Sequence, residues 1–266
     1  MAIFKDAITE WNALNPIPKF VTICGDLVND MPQDPHNNRS KQLNDFKNAL
    51  TSLRKEIPLV LLGGNHDFLN TPTNASIKEY TDQFGDDYYS FWVKGVMFIV
   101  LNVQLYKNNT EAPEHYKAQD QWLDQQLLDA KSSNYSHVIV FQHVPWFLHN
   151  ITEQDDPMWT IPSVERQRVV NKLYQAKVRW IFAGHYHRNA YGSYEDLQMI
   201  TSSAIGAQSF DGANAKSGYR LVQVEENSVN HTWINITRTN KAFASSSITV
   251  AAALTTMASV ITKFVV

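Results

Sequence analysis

The 266-residue chain has one cysteine, no excess of positive charge and no polar linker over most of its length, and each shortage narrows the choice of function. Cys24 alone leaves no intrachain disulfide, and its place inside an apolar run makes the thiol a small buried hydrophobe; the redox compartment stays open. A net charge of -3 and a pI near 6.3 lack the basic footprint of a nucleic-acid binder, so the partner is expected to be small or recognised locally. No internal repeat and no Pro/Gly/Ser-rich linker interrupts the chain before about residue 240. One domain is therefore expected over residues 1–240, followed by an apolar tail, 241–266. The amino terminus carries no signal-peptide pattern.

What the sequence does contain is an alternation of two periodicities. Apolar residues recur at helical spacing from Ile3 to Leu14, Leu43 to Leu53, Trp122 to Ala130 and Val169 to Tyr174. Between them come short continuous apolar runs, Phe20 to Cys24, Pro58 to Leu62, Val96 to Leu101, His137 to Phe141 and Val178 to Ala183, of the kind that form strands covered on both faces. Helices alternating with buried strands predict an α/β fold. Tyr219 to Val224 and His231 to Ile236, separated by a polar stretch, predict a hairpin on a second sheet.

Polar chemistry collects where four of these runs end: Gly25-Asp26 after the first, Gly63-Gly64-Asn65-His66-Asp67 after the second, Gln142-His143-Val144-Pro145 after the fourth, and Gly184-His185-Tyr186-His187 after the fifth. Ligands of open α/β sheets bind beyond the carboxyl ends of the strands, which places these four loops around one crevice. Asp26, Asn65, His143, His185 and His187 offer oxygen and imidazole nitrogen without a thiolate, a set suited to Mn, Fe, Zn or Mg. Each motif alone fits a turn, a helix cap or a satisfied core histidine; their order at successive strand ends predicts a divalent-metal centre.

In that order, GD…GNHD…H-x-P…GHxH resembles the calcineurin-like metallophosphoesterases, a family of dinuclear-metal phosphate-ester hydrolases. The resemblance covers roughly residues 3 to 237 and implies a β-sandwich flanked by helices that holds two divalent metal ions. It makes Asp26 the bridging carboxylate, puts Asn65, His143 and His185 with it on the second metal and His187 on the first, and places His66 beside the scissile phosphate, oriented by Asp67. Asn29 stands where purple acid phosphatases have a tyrosine ligand, so a tyrosinate-iron site is not expected. The implied activity is a serine/threonine-type phosphomonoesterase acting on a phosphorylated substrate such as a phosphoprotein. Alternatives are a phosphodiesterase or nucleotidase on the same site, or a binding protein with impaired catalysis.

The last alternative arises because the family starts with an earlier strand that ends in an aspartate for the first metal, whereas this sequence opens on the helix Ile3 to Leu14. Asp6 lies within that helical pattern and does not substitute. A fold lacking its first strand is therefore expected, with the first metal site reduced to Asp26 and His187, the sequence being either an incomplete product of an active enzyme, the reading favoured here, or a shortened protein with weakened catalysis. Residues 248 to 266 would extend about 28 Å as a helix, enough for a membrane segment, a lipid-anchor signal or a helix packed on the domain. Seven Asn-x-Ser/Thr sequons, at Asn38, Asn74, Asn108, Asn134, Asn150, Asn230 and Asn235, favour a glycosylated, membrane-attached protein facing the surface or a lumen over a cytoplasmic one.

Overall fold

The computed structural model describes residues 1–34, 38–206, 216–236 and 260–266. Its elements in chain order are α1 (Ala2–Ala13), β1 (Val21–Cys24), α2 (Arg39–Leu50), β2 (Leu59–Leu62), α3 (Asn65–Phe68), α4 (Asn74–Phe84), β3 (Tyr89–Val93), β4 (Val96–Val100), α5 (Gln104–Lys107), α6 (Pro113–Ser132), β5 (His137–Phe141), α7 (Ser163–Gln175), β6 (Val178–Ala183), β7 (Ala190–Tyr194), β8 (Leu197–Thr201), β9 (Gly218–Glu225), β10 (Val229–Asn235) and β11 (Val260–Val265). They form two sheets, one ordered β10-β9-β11-β1-β2 and the other β3-β4-β5-β6-β8-β7. All five predicted buried strands are present, divided between the two sheets, and the β9–β10 hairpin, antiparallel from Gly218↔Asn235 to Val224↔Val229, shares a sheet with β1 and β2 where a separate sheet was expected.

The apolar runs dictate the layering. Phe20, Leu62 and Phe264 from the first sheet meet Phe98, Phe141, Phe182 and Ile200 from the second in one core between the sheets. The opposite face of the second sheet, carrying Met97, Ile99, Val138 and Ile181, is covered by Leu123 and Leu127 of α6 and Val169, Val170 and Leu173 of α7. Ala7, Ile8 and Trp11 of α1 cover Val21, Tyr219 and Val265 on the outer face of the first sheet. The result is a helix-sheet-sheet-helix sandwich, in which strands buried on both faces need no alternation of polar residues.

β1 runs parallel to β2, and β4, β5, β6 and β8 run parallel to one another. Their carboxyl ends therefore gather on a common side within each sheet, where the loops after β1, β2, β5 and β6 carry the motif residues.

Helix α1 precedes β1, so the place beside β1 is the one an earlier parallel strand would take. Here β11 fills it, parallel to β1 with Val21 opposite Val265, and antiparallel to β9 on its other edge. A helix expected as far as residue 266 is thus a strand over Val260–Val265, because two open sheet edges and an aromatic core outweigh local preference. Phe264 is fully buried and stacks on Phe20 at 4.7 Å. The rest of the tail, 241–259, lies outside the described residues. Among the described residues no helix is long and apolar enough to cross a membrane.

Candidate metal centre

The first sheet delivers Asp26 and Asn65 immediately after β1 and β2; the second delivers His143 and His185 shortly after β5 and β6. Their side chains converge. His143 Nε2 lies 3.2 Å from Asp26 Oδ1, 3.1 Å from Asn65 Oδ1 and 3.1 Å from His185 Nδ1. Ligand atoms of Asp26, His143 and His185 all fall within 4.8 Å of one another, and no other such trio of His, Cys, Asp or Glu occurs among the described residues.

This approach needs unusual backbone. Gly25 (φ 83°), Asp26 (φ 52°), His185 (φ 66°) and His187 (φ 57°) all take the left-handed conformation, an uncommon and costly state for the non-glycine residues that marks functional turns. It also needs an absence of side chains. A Cβ on Gly64 would stand 2.3 Å from Asp26 Oδ1, and one on Gly25 would stand 2.4 Å from His143 Nδ1.

The hydrogen-bond partners fix which nitrogens face inward. His143 Nδ1 is 2.6 Å from Cys24 O and His185 Nε2 is 2.7 Å from Met158 O. A carbonyl only accepts, so both of these nitrogens carry the proton in the neutral rings, and His143 Nε2 and His185 Nδ1 present lone pairs to each other. Asn65 Oδ1 and Asp26 Oδ1 add two further acceptors. With both rings neutral, four lone pairs meet with no proton between them, an arrangement that calls for a positive centre. A cation with bonds of roughly 2.1 Å sets neighbouring ligand atoms about 3 Å apart, which the observed separations match. Burial disfavours a charged His143, but the Asp26 carboxylate beside it and the Cys24 carbonyl outweigh burial and raise its pKa. A proton on His143 Nε2 is thus the alternative occupant of the cation's place. Burial and the His143 charge push His185 down to about 3, which keeps its Nδ1 free to donate. Burial opposes ionisation of Asp26 too, yet His143 and His66 hold its carboxyl well below the usual range.

His66 and His187 line the same cavity of about 850 Å³. The His66 Nδ1 is held by Asn29 O, which leaves Nε2 as the free ring nitrogen. Asp67 was expected to orient this ring, but its Oδ2 instead accepts from the backbone N–H groups of Leu27 (3.1 Å) and Gly64 (2.9 Å). It pins the β1 loop to the β2 loop. Arg39 braces the same region from beneath, donating to Asp30 O (2.6 Å), His66 O (2.9 Å) and Glu79 Oε1 (2.8 Å).

Residues 2–189 match the profile of the calcineurin-like phosphoesterases. The chain belongs to that family. The serine/threonine-protein phosphatase CPPED1 of Homo sapiens is 44% identical to it over 232 residues, which cover 87% of this chain and 72% of that protein. A dimetal phosphatase from Danio rerio superposes with a TM-score of 0.57 over 88% of each chain at 16% identity. GAP50, the anchor in the inner membrane complex of Plasmodium, superposes with a TM-score of 0.61 over 91% of this chain and 82% of its own at 13% identity. At these identities the two solved structures show the fold alone, and it is the metallophosphoesterase fold.

As a phosphoesterase, the chain also has cavity walls that its motifs do not reveal. Lys107, at the end of α5, and Pro157-Met158-Trp159 line the cavity beside His185. Lys107 follows the carboxyl end of β4, the one predicted parallel strand end for which no polar motif stood out, and that position was the available signal. The Met158 contribution is a backbone carbonyl, which has no sequence signature. Tyr186 and Arg188, which flank His187 in the last motif, associate with each other, the guanidinium lying 5.6 Å from the ring. Glu153, in the acidic stretch 153–156, caps the backbone N–H groups of Leu148 and His149 at 2.8 Å each. Family members generally use a dinuclear metal centre. The described residues here supply one convergent donor set, and beyond it Asp26 and His187 border the same space.

Proposed function

We propose that the protein is a metal-dependent phosphomonoesterase for phosphoserine or phosphothreonine side chains, with one divalent cation held by Asp26, Asn65, His143 and His185 and a second between Asp26 and His187. The observation that carries this reading is the convergence of four ligand atoms at the mouth of the two sheets, with Asp26 Oδ1, Asn65 Oδ1 and His185 Nδ1 each about 3 Å from His143 Nε2. When bound, such ions supply charge neutralisation for the phosphoryl oxygens and a nucleophile at neutral pH.

The chain's own residues supply the rest. His66, on the first turn of α3 and anchored through Nδ1, presents Nε2 to the cavity, where an imidazolium stabilises charge or gives a proton to the leaving oxygen. Asp67 and Arg39 hold the β1 and β2 loops together so that His66 and Asp26 keep their spacing; the His66 backbone N–H donates to Asp26 Oδ1 at 3.0 Å. Cys24 and Ala183 give part of the cavity wall an apolar lining. The serine/threonine preference rests on similarity to CPPED1.

The test is hydrolysis of a phosphoserine peptide, a phosphothreonine peptide and p-nitrophenyl phosphate by protein reconstituted with Mn²⁺, Zn²⁺, Fe²⁺ or Mg²⁺. His66→Ala is expected to lower kcat by about 10²–10⁴-fold while leaving bound metal unchanged. Absence of turnover with every metal would overturn the assignment. Membrane attachment and glycosylation rest on the apolar tail and the seven sequons alone, and a mobility shift of the native protein after glycosidase treatment is their test.

A further inference from the structure

Lys107 is the one lysine or arginine lining the metal cavity among the described residues. It ends α5, a single turn tied at two points to the chain that follows α3. Gln104 Nε2 donates to Leu69 O at 3.3 Å and Asn108 Nδ2 donates to Thr71 Oγ1 at 2.9 Å. The ammonium is therefore carried on a segment fixed relative to Asn65 and His66. On its other side one oxygen joins it to the metal ligands: Met158 O accepts from Lys107 Nζ at 3.1 Å and from His185 Nε2 at 2.7 Å.

That carbonyl is the only hydrogen-bond acceptor for Nζ among the described residues, so two of its three donors are left over. The residue is half-buried, and burial pushes its pKa down to about 8, with the Asp156 carboxylate working in the opposite direction. A half-buried cation with spare donors gains from an anion placed against it, and gains more from a dianion than from a monoanion. A phosphomonoester carries two charges near neutral pH; a phosphodiester carries one.

We infer that Lys107 contacts the phosphoryl group of the substrate and selects dianionic phosphomonoesters over monoanionic phosphodiesters. This assignment rests on the phosphoesterase reading above and names the residue that would set its ester class.

The experiment compares wild type, Lys107→Met and Lys107→Arg, each loaded with Mn²⁺, on p-nitrophenyl phosphate and bis(p-nitrophenyl) phosphate, with calorimetric titration of Mn²⁺ and of inorganic phosphate. Lys107→Met is expected to lose about 10–100-fold in kcat/KM on the monoester, the size of a charged hydrogen bond, and much less on the diester. Phosphate affinity should fall in parallel, Mn²⁺ affinity should hold, and Lys107→Arg should recover most of the monoester rate. Equal losses on both esters would overturn the inference. So would a fall in Mn²⁺ affinity with phosphate binding unchanged, which would make Lys107 a prop for Met158 and His185. If wild type cleaves neither ester with Mn²⁺, Zn²⁺, Fe²⁺ or Mg²⁺, the phosphoesterase reading fails, while the phosphate titrations still decide whether Lys107 receives the anion.

Discussion

Asp67 has no exposed surface, and it sits between the two loops that supply Asp26 and Asn65. Burial, followed by the nearby Asp26 charge, pushes its carboxyl up to about 6, against the opposing pull of the Gly64 and Leu27 N–H groups and of Arg39. In the metal-free protein the folded state therefore holds this proton more tightly than the unfolded chain does, whose aspartates titrate near 3.8. The resulting stabilisation is complete below that value and is lost as pH rises to about 6. Asp67→Asn keeps an oxygen to accept both backbone N–H groups but cannot titrate. Its urea midpoint in EDTA should lack the decline that wild type shows between pH 4 and 6; parallel curves would refute this role for the buried carboxyl.

Loops and strands place these residues through what they omit as much as through what they carry. Gly64 has an ordinary φ of -112°, so alanine costs nothing in backbone strain there, but the added methyl would fall 2.3 Å from Asp26 Oδ1. Gly64→Ala is expected to weaken Mn²⁺ binding and turnover by about 100-fold or more while destabilising the fold by only about 1–3 kcal/mol, the usual range for overpacking. Metal titration beside urea denaturation separates the two effects. The strand ends were legible because both signals are local: an apolar run long enough to be buried, then glycine and a donor within a few residues. Helices were found but trimmed. The sequence pattern from Trp122 to Ala130 marks only the second half of α6, whose first half, from Pro113, is mostly exposed. α4 went unseen, since its sequence is largely polar and its start is set by the reciprocal Thr73–Ser76 capping bonds. The Met158 carbonyl and the clamp between Asp67 and Leu27 depend on distant segments and leave no local trace.

At the scale of the whole molecule, β11 joins the β9–β10 hairpin to the β1–β2 pair, which have no direct pairing of their own. Phe264 is its anchor, lying 5.5 Å from Phe98 and from Phe141 and 6.0 Å from Phe182, besides its stack on Phe20. Phe264→Ala should therefore lower stability by about 3–5 kcal/mol, the usual cost of deleting a core phenylalanine, and reduce the urea midpoint without changing the slope of the transition. A loss below about 1 kcal/mol would show that the strand is held by its backbone pairing alone. Its position also has a temporal side. On the ribosome Val21 emerges long before Val265, its partner across the ladder, has been synthesised. Until then β1 lacks this neighbour beside Phe20, so the pairing seen in the finished sheet is expected to be completed only after the last strand leaves the ribosome.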